Sequence, residues 1–128
     1  MVREFQNKKE WALILGGSSG LGLATAKKLA HHGMNICIIH RNTRAQRRNI
    51  DKDFQKIAEK SKGFISYNID AINAEKRSSV IKSLKKELEG NKIKILVHSI
   101  ARGNLSPMVS DSTPTLQSED LNLSINAM

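Results

Sequence analysis

The stretch WALILGGSSGLG, at residues 11–22, decides the fold. It is an apolar run that ends in a cluster of glycines and continues into a helical pattern, which predicts a strand, a tight turn and a helix. An apolar strand without alternation is typical of a parallel sheet that is buried on both faces. In the turn, Gly16 allows a tight reversal of the chain, and Gly22 lets the helix pack against the strand.

The rest of the chain repeats the alternation of strand and helix. Apolar runs at residues 34–39, 63–69 and 93–97 predict three more strands, and helical patterns lie at residues 22–33, 43–60 and 73–90. In the third helix, Asn73 is the expected cap and Val80, Ile81, Leu84 and Leu88 form the expected apolar face. The alternation predicts an α/β fold, a Rossmann-type doubly wound parallel sheet with strand order 3-2-1-4. This is the front half of such a fold, so we expect its C-terminal half to be lacking.

Composition narrows the class of protein. The chain has 128 residues, 39% hydrophobic and 26% charged, which is typical of one soluble globular domain. No apolar run is long enough to cross a bilayer, the N-terminus does not resemble a signal peptide, and Cys37 is the only cysteine. We therefore expect a cytoplasmic protein that has no disulfide, no membrane segment and no metal site.

The formal net charge of +9 has two interpretations. It is either a lysine-rich surface that solvates the helices, or a means of attracting anions such as cofactor phosphates, an acidic carrier protein or nucleic acid. The chain has only one Trp, one Tyr and three Phe for stacking on bases, and it contains no recognition motif. A nucleic-acid partner is therefore not expected.

The glycine turn predicts a binding site for the phosphates of a dinucleotide. Free amides and the dipole at the start of a helix attract anions, Gly20 lets a pyrophosphate approach the backbone, and Ser18 and Ser19 add hydroxyl donors. The spacing G-x-x-x-G-x-G, which includes Leu21, resembles the cofactor turn of the short-chain dehydrogenase/reductase family. Leu15 stands where that family commonly has threonine.

Two further blocks carry the resemblance, which extends from about Lys9 to Met128. Asp70, with Ala71 beside it, matches the family's acid that binds the adenine amino group. The block His98-Ser99-Ile100-Ala101 resembles the enoyl-acyl-carrier-protein reductase branch, where it lines the nicotinamide ribose. The resemblance thus implies that Ser99, Ile100 and Ala101 bind the cofactor.

The end of the second strand bears on the choice of cofactor. An acid there would bind the ribose 2′-hydroxyl of NAD and repel the 2′-phosphate of NADP. This chain instead has His40-Arg41-Asn42, and Arg41 can pair with a phosphate through two of its donors. The sequence therefore predicts NADP(H) rather than NAD(H), with all three residues at the cofactor. Arg44, Arg47 and Arg48, which follow, are expected only to solvate a helix.

No catalytic residue is predicted. The family's catalytic tyrosine is followed by a lysine four residues later, or seven in the enoyl branch, but Tyr67, the only tyrosine, is followed at those positions by Ala71 and Ala74. Tyr67 is instead expected to be a strand residue. The resemblance implies that the catalytic segment lies beyond Met128 and that this chain is inactive alone.

The resemblance implies an NADP(H)-dependent reductase, with an enoyl thioester on acyl carrier protein as the leading substrate. A 3-oxoacyl or ketone reductase is the alternative within the family. A non-catalytic module that binds a dinucleotide or nucleic acid is the alternative of another class.

Two structural expectations concern the end of the chain and the edge of the sheet. Residues 102–117, with Pro107 and Pro114, predict a loop. The open edge of the fourth strand predicts pairing with the missing half or with a second copy, as a homo-oligomer.

Overall fold

A computed structural model describes residues 9–61 and 63–100 of the chain. These residues form four strands and three helices in alternation: β1 (Trp11–Leu15), α1 (Gly20–His31), β2 (Asn35–His40), α2 (Arg44–Lys60), β3 (Phe64–Asn68), α3 (Ala74–Leu88) and β4 (Ile93–His98). Every strand pairing is parallel and the order is β3-β2-β1-β4. The predicted fold class and strand order are confirmed. Ala101 and the predicted loop at residues 102–117 lie outside the described residues.

Helices cover both faces of the sheet because side chains alternate along each strand. Ala12 and Ile14 of β1 point into a core shared with α1 and α2, whereas Trp11 lies in a second cluster with residues of α3. Ala26 and Ala30 on the inner side of α1 are fully buried, and their small size lets this helix lie close to the sheet. No helix within the described ranges has the length and apolarity needed to span a membrane.

Helix α3 begins as predicted, but its apolar face is narrower. The Asn73 side chain accepts a hydrogen bond from the Lys76 amide at 3.0 Å, as an N-cap does. Val80, Leu84 and Leu88 are buried, whereas Ile81 is 57% exposed. The prediction for Ile81 was wrong because Val80, Leu84 and Leu88, which are spaced four residues apart, already form the face of α3 that packs against the sheet. Ile81 lies just outside that row on the helix circumference.

The β4 strand forms one edge of the sheet within the described ranges. It pairs with β1, and its Leu96 side chain is 65% exposed on the face that α3 covers elsewhere. An edge of this kind offers unpaired backbone groups to another strand. The expected homo-oligomer stays a prediction.

The carboxyl ends of the strands meet at one edge, and the loops that follow are fixed there by backbone hydrogen bonds. The Gly16 amide donates to the Ile39 carbonyl, the Ile69 amide to the His40 carbonyl, and the Ser99 amide to the Leu15 carbonyl, each at 2.8 Å. The ladder therefore continues one residue beyond β1, β3 and β4. This continuation positions the residues of the cleft described next.

Candidate functional site

A cleft of about 500 Å³ opens at the carboxyl ends of the strands. It brings together twelve of the predicted site residues: Gly16, Ser18, Ser19, Gly20, Leu21, His40, Arg41, Asn42, Asp70, Ala71, Ser99 and Ile100. The cleft is also lined by Ile39, Ile69 and Ile72, which belong to no sequence motif and add apolar surface. Gly22 lies behind the lining and Ala101 lies outside the described residues. A concave site with an apolar wall and a few convergent polar groups is typical of ligand binding.

At two positions of the turn, neighbouring backbone atoms lie so close that only glycine, which has no side chain, fits. Gly16 has φ +85°, and a Cβ there would collide with the Ser99 carbonyl group, 2.8 Å from its carbon. A Cβ on Gly22 would collide with the Gly16 carbonyl group, 2.9 Å from its carbon. The turn is thus pressed between the start of α1 and the loop after β4, and a side chain at either glycine would separate them.

Gly20 differs because its side-chain position faces open space. It has φ +58°, and no atom lies within 4 Å of the position that a Cβ would take. Ser19 precedes it as the N-cap of α1, but the Ser19 side chain makes no hydrogen bond to the amides of the first turn. Those amides are therefore not capped by the residue that usually caps them, and the backbone at Gly20 is accessible from the cleft.

His40 supports the cleft from beneath. Its side chain is only 5% exposed, and its ring lies edge-on to Phe54 with ring centroids 5.1 Å apart. Burial lowers the pKa of His40, with a smaller contribution in the same direction from Arg47, while the hydrogen bond to Asn42 and the charge of Asp51 oppose the shift. The imidazole is therefore neutral near pH 7, and its Nδ1 lies 2.8 Å from Oδ1 of Asn42. The neutral tautomer that carries a proton on Nδ1 donates this bond.

Arg41 and Asp70 face each other at the mouth of the cleft. Arg41 Nη1 lies 3.6 Å from Asp70 Oδ2, with side chains that are 69% and 28% exposed. The other carboxylate oxygen of Asp70 accepts a hydrogen bond from the Ile72 amide at 3.1 Å. An exposed ion pair of this length contributes little to stability. The guanidinium therefore keeps donors that can reach an incoming anion.

Tyr67 lies away from the cleft. Its hydroxyl is 3.1 Å from the Ser83 hydroxyl on α3, and its ring packs in the cluster beneath that helix. The expectation that Tyr67 is a strand residue is confirmed.

A second cleft of about 560 Å³ lies between α1 and α2. Ala24 and Ile57 form its apolar part, and around them lie His31 and the lysines Lys27, Lys28, Lys56 and Lys60. Lys27 pairs with Asp53 at 2.8 Å. None of the predicted site residues lies there. Ligands of open α/β sheets bind beyond the carboxyl ends of the strands, so the first cleft is the candidate site.

Comparison with known proteins identifies a family. The sequence model of the family described as short chain dehydrogenase matches residues 10–126. The chain is 30% identical over 92 residues to 17-beta-hydroxysteroid dehydrogenase type 3 from Mus musculus, a match that covers 71% of this chain and 28% of that protein. It is 29% identical over 128 residues to a very-long-chain 3-oxoacyl-CoA reductase from Phaeosphaeria nodorum, covering 99% of this chain and 36% of that protein.

Solved structures agree with the fold. NAD+-bound xylitol dehydrogenase superposes with a TM-score of 0.74 at 24% identity, covering 97% of this chain and 43% of that one. L-sorbose reductase from Gluconobacter frateurii, in complex with NADPH and L-sorbose, gives a TM-score of 0.62 at 25% identity, covering 79% and 37%. The chain spans less than half the length of each of these relatives.

Proposed function

We propose, from the premise that this chain belongs to the short-chain dehydrogenase family, that it binds a nicotinamide dinucleotide at the carboxyl ends of its strands and prefers NADP(H). The observation that carries the proposal is the open backbone at Gly20, at the start of a helix whose N-cap side chain leaves the first-turn amides free. A pyrophosphate is the group that such a helix start attracts. Solved relatives are described with either NAD+ or NADPH.

The residues of the cleft fit the parts of such a cofactor. The pyrophosphate would lie against the turn at Gly20, the adenine amino group would donate to Asp70, and the nicotinamide ribose would lie beside Ser99 and Ile100. Arg41 is the basic residue that would bind the 2′-phosphate, and no acid replaces it at the end of β2. When bound, the nicotinamide supplies a hydride. The described residues bind and orient the cofactor.

We propose that the substrate is a carbonyl compound, with a 3-oxoacyl thioester on coenzyme A or acyl carrier protein as the leading candidate. The hydride would add to the carbonyl carbon and a proton to its oxygen, which gives a hydroxyl group. Two kinds of relative, a 3-oxoacyl-CoA reductase and a hydroxysteroid dehydrogenase, support this alternative over the enoyl reductase that the sequence first favoured. The block at residues 98–101 is the main observation on the enoyl side.

The cofactor proposal is tested by titrating the protein with NADPH and with NADH and following cofactor fluorescence. We expect NADPH to bind about tenfold more tightly, because a charge-assisted phosphate pair contributes on the order of 1.4 kcal/mol. In Arg41→Ala this preference should disappear. Arg48→Ala is the matched control, since Arg48 is an exposed arginine on α2 that does not line the cleft. Equal affinities in the parent protein would overturn the NADP(H) preference, and binding of neither cofactor would overturn the whole proposal.

Because this chain is expected to be inactive alone, the substrate proposal is tested on a protein in which it is followed by the family's catalytic tyrosine and lysine. A 3-oxoacyl and a 2-enoyl thioester, each as a coenzyme A and a carrier-protein ester, are added and NADPH absorbance is followed. Oxidation of NADPH with the 3-oxoacyl compound supports the carbonyl reductase. Oxidation with only the enoyl compound restores the enoyl reductase. Cofactor binding without reaction of either thioester supports a non-catalytic dinucleotide-binding module instead.

A further inference from the structure

We infer that Asn68 is a positioning residue that fixes the loop carrying Arg41 and thereby sets the preference for NADP(H). The inference rests on the proposed function and adds a residue that lies outside every motif discussed above. Asn68 is the last residue of β3 and is exposed. It does not line the cleft, so it acts through another residue.

Asn68 extends the sheet by means of its side chain. The ladder between β2 and β3 ends at the pair of His40 and Asn68. Beyond it, the Asn42 amide donates to Oδ1 of Asn68 at 2.9 Å, and Nδ2 of Asn68 donates to the Asn42 carbonyl at 3.0 Å. The carboxamide presents one donor and one acceptor, as a backbone strand would, and so holds both polar groups of the Asn42 backbone.

The side chain of Asn42 is held as well. Its Oδ1 lies 2.8 Å from the His40 ring, and its Nδ2 donates to Oε1 of Gln46 at 3.3 Å. That same oxygen of Gln46 accepts the Thr43 amide at 2.9 Å. Both the backbone and the side chain of Asn42 therefore have protein partners. In the cofactor site, Asn42 fixes the backbone beside Arg41.

Arg41 is thereby held on both sides. The residue before it, His40, is buried, and the residue after it, Asn42, is clamped to β3. The backbone of Arg41 then has little freedom, and only its exposed side chain must be ordered when a phosphate binds. Ordering fewer torsions at the moment of binding increases affinity. NADH has no 2′-phosphate, so its affinity depends much less on this loop.

The chain contains a matched control for Asn68 at the opposite end of the same strand pair. The side chain of Asn35, the first residue of β2, accepts a hydrogen bond from the Gly63 amide at 2.9 Å. It too links β2 to the chain at β3, but at the amino ends of the strands and away from the cleft. Replacement of either asparagine by alanine removes hydrogen bonds between a side-chain carboxamide and a backbone group. Only the bonds made by Asn68 reach the loop that carries Arg41.

The test compares the parent protein with Asn68→Ala and Asn35→Ala in titrations with NADPH and NADH, with amide hydrogen exchange of Asn42 as a second measurement. We expect Asn68→Ala to weaken NADPH binding about tenfold, to change NADH binding by less than about twofold, and to speed exchange at Asn42. Asn35→Ala should leave the ratio of the two affinities unchanged.

The outcomes separate the inference from the function on which it rests. If the parent prefers NADPH and Asn68→Ala keeps that preference, the positioning role is overturned while the proposed function stands. The role is also overturned if Asn35→Ala changes the ratio as much as Asn68→Ala does. A parent that binds both cofactors equally overturns the positioning role together with the NADP(H) preference, and a parent that binds neither cofactor overturns the whole proposed function.

Discussion

Replacement of Gly22 by alanine tests the packing on which the glycine turn at residues 16–22 depends. A Cβ at this position would collide with the Gly16 carbonyl group, 2.9 Å from its carbon and 3.3 Å from Gly17 Cα. The nearest atom is the Gly16 carbonyl oxygen, which lies even closer than that carbon. Optimal carbon contacts are about 3.5–4.0 Å, so the start of α1 must move by on the order of an ångström. The helix cannot move freely, because Ala26 and Ala30 are fully buried against the sheet. Overpacking of this kind costs about 1–3 kcal/mol.

For a chain of this size, such a loss corresponds to a fall of roughly 3–15 °C in melting temperature. Thermal unfolding followed by circular dichroism measures it, and NADPH titration of the folded variant shows the accompanying loss of affinity. An unchanged melting temperature for Gly22→Ala would refute the argument from close approach.

Gly20→Ala is the informative comparison in the same turn. Its Cβ meets no atom within 4 Å, so its only structural cost is the left-handed conformation at φ +58°, about 1–2 kcal/mol. The new methyl group would occupy the space in front of the backbone where we place the pyrophosphate. We expect a smaller loss of stability than for Gly22→Ala together with a loss of NADPH affinity of about tenfold or more. A Gly20→Ala protein that binds NADPH as tightly as the parent would refute this placement.

Three further predictions concern groups whose environment the structure defines. Burial raises the pKa of the Cys37 thiol to about 12, so a thiol reagent at pH 8 should label the protein only as urea unfolds it; fast labelling in buffer would contradict this burial. Burial lowers the pKa of His40 below its ordinary 6.5, so the free energy of unfolding should be greatest above that pH and should fall as the pH drops through the folded pKa. Urea titrations at two pH values measure this fall, and His40→Asn should reduce it. Asp70→Asn keeps an oxygen for the adenine amino group and removes the charge facing Arg41, so NADPH affinity should rise about twofold to fivefold relative to NADH. A relative loss for NADPH would count against the placement of the 2′-phosphate.

The sheet could be predicted from the sequence because its strands are apolar runs bounded by turn residues. The bounds predicted for β1 match those observed, and the other strands differ by a residue or two. The start of α1 was placed at Gly22, where the apolar pattern begins, whereas the helix begins at Gly20. Leu21 is 83% exposed and so contributes nothing to an apolar periodicity.

The role of Asn68 could not be predicted, for a different reason. Its partner Asn42 is 26 residues away, and the two meet only because β2 and β3 pair in a particular register. An asparagine at the end of a strand is an ordinary turn residue, and nothing in the neighbouring sequence indicates that its side chain has a distant partner. Local motifs identified twelve of the residues that line the cleft. They could not identify a residue that supports the cleft from an adjacent strand.

The same distinction explains why the cofactor could be predicted more firmly than the reaction. The glycine turn is built by backbone contacts: a side chain at Gly16 is excluded by the Ser99 carbonyl group, and one at Gly22 by the Gly16 carbonyl group. Such contacts constrain where glycines stand and leave neighbouring side chains free to vary. Ser99 is held at the turn by its backbone, so its side chain says little about whether a C=O or a C=C bond is reduced. A turn built in this way can serve reductases of many substrates, and the relatives of this chain are accordingly named for steroid, acyl and sugar substrates.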